Sequence, residues 1–167
     1  LYKQYIPYIL SNPNITIDFV LANRKYIDDW ERISSNHSIT VQDIESNPNL
    51  PWDFQALSDN LNITEDFFVK HIDKDWDFRK IVQNNHNIST KFIMEHSSLP
   101  WCWRAFSTER NITECDDFPH IIWKECCWNK YITLDFVKKH IDKDWNWDFL
   151  SSNESITLKD IEENLDL

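Results

Sequence analysis

Apolar residues fall along this 167-residue chain in short pairs, each at a fixed distance from an Ile-Thr or Ile-Ser dipeptide. The dipeptides are Ile15-Thr16, Ile39-Thr40, Ile63-Thr64, Ile88-Ser89, Ile112-Thr113, Ile132-Thr133 and Ile156-Thr157. Their hydroxyl residues are 24, 24, 25, 24, 20 and 24 residues apart. Self-similarity at a fixed period of this size marks a repeat array. With the hydroxyl residue as zero, apolar side chains stand three and four positions on, at Phe19/Val20, Ile44, Phe67/Phe68, Phe92/Ile93 and Phe136/Val137. Ser or Thr at zero can cap a helix by accepting from a backbone N–H two or three residues on. Asp18, Asp43, Glu65, Asp66, Glu114, Asp116, Asp135 and Asp160 then fall in the first turn, where carboxylates complement the helix dipole. The preceding Ile stands where a hydrophobic staple belongs. Each repeat is thus predicted to open with an amphipathic helix of about two turns.

Seven residues after the cap comes Asn or His, at Asn23, Asn47, His71, His96, His120, His140 and Asn164, suited to closing that helix. About twelve residues after it comes Trp52, Trp76, Trp101 or Trp145, with Trp30 and Trp123 as slightly displaced versions. Further apolar positions near Phe54, Phe78, Trp103 and Trp147, then Leu57, Ile81/Val82, Phe106 and Leu150, predict a second, shorter helix, in part 3₁₀. Leu50-Pro51 and Leu99-Pro100 mark its expected start, since proline suits a first turn. A Ser/Asn turn ends it, with Asn12, Asn36, Asn60, Asn85, Asn129 and Asn153 four residues before the next cap and Glu109 breaking the series. The chain has no glycine, and Asn is the residue next best able to close such a turn through its own backbone.

Helices this short are marginal alone and bury their aromatic faces only against neighbouring repeats. The Trp and Phe positions therefore read as core. Asn12-Pro13-Asn14-Ile15-Thr16, the period and the two unequal helices resemble leucine-rich-variant repeats. Trp52-Asp53-Phe54 followed by Leu57-Ser58 and Asn60 to Thr64 is similar also to repeat proteins encoded by giant DNA viruses. The likeness covers essentially the whole chain. It departs from the leucine-rich-variant pattern in having Ile-Thr where Thr-Pro is common, and it lacks the iron–sulphur cysteine segment. It implies alternating helices stacked into a superhelix. The expected fold is all-α: a right-handed solenoid of about seven repeats of ~24 residues, each a short α-helix plus a shorter α/3₁₀ helix. The expected organisation is a single array over 1–167 with partial repeats at both ends, an excerpt of a longer array, and an irregular joint at about 113–132.

Composition narrows the function. Acids outnumber bases 28 to 17, for a net charge of −11, which disfavours nucleic acid, and Lys and Arg do not recur in register as a base-per-repeat reader would need. No apolar run approaches a membrane span. Cys102, Cys115, Cys126 and Cys127 cluster in one stretch, unlike a disulfide framework, and fit a reducing compartment inside the cell: the host cytoplasm or a virus particle. Six N-x-Ser/Thr sequons, among them Asn36 and Asn153, arise from the repeat's own turn.

The fifth repeat breaks the period, with Pro119 expected to cut its first helix short. Counting back from Thr133, Cys126 takes the core position of Leu57 and Leu150, and Cys127 the adjacent Ser position. The reading from packing is two buried thiols. The alternative is a metal-binding or redox-sensing module in which Cys102, Cys126, Cys127 and His120 hold zinc, although no C-x₂-C pair is present. Acids also gather before the second helix, at Asp28, Asp29, Asp73, Asp75, Asp77, Asp142 and Asp144. They read as a solvated face or as an acidic edge that docks a basic protein.

No glycine-rich phosphate loop, H-E-x-x-H or nucleophile elbow is present. The expectation is a non-enzymatic protein-interaction or structural scaffold of viral origin, without cofactor. Its partner would be another protein, with end-on contacts available, and not nucleic acid or membrane.

Overall fold

The protein is described here by a computed structural model covering residues 3–115 and 118–162; the first-turn acid Asp116 and the helix-closing Asn164 lie outside the described residues. Among the described residues the fold is all-helical, with thirteen α-helices, two 3₁₀ turns and no strand. The chain packs as two compact units, Leu1–Ser89 and Thr90–Leu167. The first holds α1 (Ile6–Ile9), α2 (Ile17–Asn23), α3 (Trp30–Ser34), α4 (Val41–Ser46), α5 (Phe54–Leu57), α6 (Glu65–Lys70) and α7 (Phe78–Asn84). The second holds α8 (Thr90–Glu95), α9 (Trp103–Glu109), α10 (Trp123–Cys126), α11 (Leu134–Lys139), α12 (Trp147–Leu150) and α13 (Leu158–Glu162).

The hydroxyl residues begin the first helices as their chemistry dictates, except Thr113, whose hydroxyl donates to Asn111 and after which no helix forms before α10 among the described residues. Thr16, Thr64 and Thr133 each accept from the backbone N–H three residues on, at 3.3 Å. Thr40 and Asp43 form a reciprocal capping box, and Thr157 with Asp160 repeats it. Ile15, Ile39, Ile63, Ile88, Ile112 and Ile132 are all buried beside these caps. So are Val20, Ile44, Phe68, Ile93 and Val137 on the helices themselves.

The second helices begin later than the prolines suggest. The N-caps of α3, α5, α7 and α12 are Asp29, Asp53, Asp77 and Asn146, whose side chains accept from backbone N–H groups of the first turn, whereas Cys102 and Ile122 before α9 and α10 make no such bond. Pro51 lies in the segment before the cap, because the Asp53 carboxylate satisfies free donors that proline would only remove; Pro100 also precedes its helix, whose N-cap Cys102 makes no side-chain cap bond. The tryptophans at 52, 76, 101 and 145 likewise precede these helices. Each indole N–H donates instead to the carbonyl of the residue closing the first helix: Asn47, His71, His96 and His140, at 2.8–2.9 Å. Trp30 and Trp123 are not displaced copies of this anchor; they open α3 and α10, where Phe54, Phe78, Trp103 and Trp147 open theirs. The 3₁₀ turns, Lys3–Tyr5 and Arg24–Tyr26, fall outside the second helices, which are α. In the fifth repeat no helix forms between α9 and α10 among the described residues.

Within each unit, two hydrogen-bond series tie a repeat to the one before it. In the first unit, Asn36 Nδ2 donates to the Leu10 and Asn12 carbonyls, at 2.9 and 3.0 Å. Asn60 Nδ2 reaches the Ser34, Asn36 and Ile39 carbonyls, and Asn85 those of Asn60 and Ile63. In the second unit, Asn129 bonds to Ser107 and Arg110, and Asn153 to Cys127 and Asn129. The amide oxygens meanwhile accept from the N–H two residues on, as in Ser38 to Asn36 and Asn62 to Asn60. One side chain therefore closes its own turn and fastens it to its neighbour. The second series uses hydroxyls: Ser34, Ser58 and Ser107 accept from the backbone N–H groups of Asp53, Asp77 and Ile122, at 2.9–3.0 Å.

Candidate functional site

The expected acidic positions are divided between the two units and largely engaged. Asp29 caps α3 and pairs with Arg32 at 2.7 Å, while Asp77 caps α7 through the Arg79 and Lys80 N–H groups. Asp75 accepts from Gln55 at 2.8 Å. Asp73 lies 3.4 Å from Lys74, and Asp142 lies 3.6 Å from Lys143. Asp144 lies 3.1 Å from Lys124. Asp28, Asp73, Asp75, Asp142 and Asp144 are exposed, so these five present their charge to solvent.

In the irregular repeat, Cys126 is fully buried among core residues and Cys127 completes the hydroxyl series in thiol form. Its sulfur accepts from the Asn146 N–H at 3.3 Å, as Ser58 accepts from Asp77, and contacts the Trp123 carbonyl at 3.9 Å, as Ser58 donates to Phe54. Burial, with the neighbouring Cys127, pushes the Cys126 thiol up to about 12, and burial also raises Cys127. Both stay protonated at neutral pH, the form that neither attacks nor ligates readily. His120 stacks on Trp103, with centroids 4.3 Å apart and planes 9° from parallel. Among the described residues, no three His, Cys, Asp or Glu side chains are grouped to hold a metal ion, so Cys102, Cys126, Cys127 and His120 are not brought together as one ligand set.

Arg110 stands where the asparagine series breaks. Its carbonyl accepts from Asn129 at 2.7 Å, and its side chain is buried, whereas Glu109 points to solvent. Burial lowers the guanidinium to about 10, still a cation at neutral pH.

A cleft in the first unit was not legible in the sequence. It encloses about 480 Å³, within the roughly 300–1,000 Å³ of ligand pockets. Buried Ile44 and Leu50 and half-buried Trp52 and Phe54 make its apolar part; Glu45, Lys70, His71 and Lys74 make its polar part. Lys70 bonds Glu45 at 2.6 Å. In the register of His71, Asn23, Asn47 and His96 spend a side-chain nitrogen on the carbonyl four residues back. The His71 ring instead packs 4.4 Å from Phe67 and 5.8 Å from Phe54, with its backbone carbonyl taken by Trp76. Burial first, then the Lys70 charge, holds its pKa below the ordinary 6.5, so it is neutral at pH 7.

No family model, curated protein or solved structure matches the chain. No helix among the described residues is long and apolar enough to cross a membrane.

Proposed function

We propose that this chain is a non-enzymatic protein-interaction scaffold: a right-handed solenoid of about seven repeats of ~24 residues, part of a viral repeat array. The observation that carries the reading is the recurrence of the same buried side-chain bonds between consecutive repeats, Asn60 to Ser34, Asn36 and Ile39 being the fullest case. Repeats bound only to their neighbours build an extended surface, not a single closed site, and such surfaces serve recognition. The exposed carboxylates of Asp28, Asp73, Asp75, Asp142 and Asp144 favour a basic protein as partner.

The test is the titration of a labelled lysine-rich peptide by fluorescence anisotropy. Binding should appear at low ionic strength, weaken on adding salt and fall several-fold in an Asp73→Asn/Asp75→Asn variant. Asn keeps the shape of the side chain and removes the charge. A peptide that stays unbound at low salt sinks the acidic edge as a docking surface.

A further inference from the structure

We infer that the cleft of the first unit is a second docking site of opposite sign, which takes a peptide segment carrying an aromatic side chain beside carboxylates. Only the choice of a peptide as occupant rests on the scaffold reading. The cleft is lined by two ammonium groups and one carboxylate, in a chain whose net charge is −11. Glu45 already neutralises Lys70 at 2.6 Å. Among the described residues Lys74 pairs with Asp73, 3.4 Å away and 73% exposed, a pair that water screens to little. Lys74 is therefore the cation that gains most from an incoming carboxylate. Trp52 and Phe54 offer an aromatic side chain its apolar surface, and the neutral His71 ring adds a hydrogen-bonding group that no other residue uses among those described.

The molecule carries its own control. His140-Ile141-Asp142-Lys143-Asp144-Trp145 repeats His71-Ile72-Asp73-Lys74-Asp75-Trp76 letter for letter. There, however, Trp123 stands where Phe54 stands in the first unit. Lys143 Nζ lies 5.7 Å from the Trp123 ring centroid, and the His140 ring is buried 5.0 Å from it. The same hexapeptide thus has its cation placed over a ring in one unit and beside an open hollow in the other.

The experiment uses the full chain and three fluorescein-labelled peptides. One is centred on Glu-Phe-Asp, one has the acids replaced by Gln and Asn, and one has Phe replaced by Ala. The acidic aromatic peptide should bind roughly tenfold more tightly than either control. Lys74→Glu should abolish that preference, and Lys143→Glu should leave it unchanged. Phe54→Trp, which installs the residue that opens α3, α9, α10 and α12, should weaken binding while the helical circular dichroism is retained. Equal binding of the acid and amide peptides overturns the proposal, as do equal losses in the two lysine variants or no binding up to millimolar peptide. Any of these leaves the lysine-rich peptide result at the acidic edge standing, so the two failures are told apart.

Discussion

At the scale of single residues, the buried asparagines carry more than their position in a turn suggests. Asn60 donates to three carbonyls of the preceding repeat and accepts from Asn62, with its side chain wholly out of water. Truncating it leaves those groups buried and unanswered. Asn60→Ala should therefore cost about 2–4 kcal/mol in urea unfolding, several times a typical hydrogen bond of ~1 kcal/mol. Asn60→Asp should cost more, because a carboxylate offers the carbonyls no donor. Asn36 and Asn153 commit the very nitrogen a glycan would need, so these two sequons are closed by the fold. The Cys126 thiol sets a pH window of its own. Its folded value of about 12 lies above the ordinary 9.0, so the native state holds a proton that the unfolded chain gives up. Its contribution to stability is complete below pH 9 and is lost as pH rises toward 12. Cys126→Val should flatten that alkaline slope in unfolding measurements. For His71 the sign reverses: its lowered value makes the neutral ring the native form, so stability is lost as pH falls below the ordinary 6.5. An NMR titration should place it under that value, and Lys70→Gln should raise it only in part, because burial is the larger cause.

At the scale of elements, chemistry written within a few residues was legible and chemistry written across repeats was not. Thr16 and its Phe19 N–H are three positions apart, so the cap could be read from the chain. The Asn60 turn was legible for the same reason, but its reach back to Ser34 was not, because no local pattern says which carbonyl a side chain will find 26 residues away. Pro51 misled because it marks where a helix is permitted, whereas Asp53 supplies the acceptor that fixes where it starts. The cleft was invisible for a related reason: Trp52, Phe54 and His71 each fit the repeat, and only their packing leaves a hollow. In this register Cys127 behaves as a serine. Cys127→Ser should keep the protein within about 0.5 kcal/mol of its original stability, whereas Cys127→Ala, which deletes the acceptor for the Asn146 N–H, should cost about 1–2 kcal/mol. Asp53→Ala, the loss of one helix cap, should cost about 1 kcal/mol by the same measurement.

At the scale of the whole molecule, stability is distributed over two compact units, each with its own asparagine and hydroxyl bonds. Damage to one should stay near its source, as in arrays whose energetics are sums of neighbour terms. Hydrogen exchange of Asn60→Ala should show protection falling mainly within 1–89, with 90–167 changed less. Uniform loss along the chain would mean that the two units unfold as one.

The buried amide bonds also have a direction. In each, the donor belongs to the later repeat and the carbonyl to the earlier: Asn36 to Leu10, Asn85 to Asn60, Asn153 to Cys127. The hydroxyl series runs the same way, from the Asp53 N–H to Ser34 and from the Asp77 N–H to Ser58. A ribosome releases the chain amino end first, so every acceptor is in place before the group that seeks it emerges. Within each unit, a newly made repeat should therefore find its acceptors already synthesised, like bricks laid on a course already set.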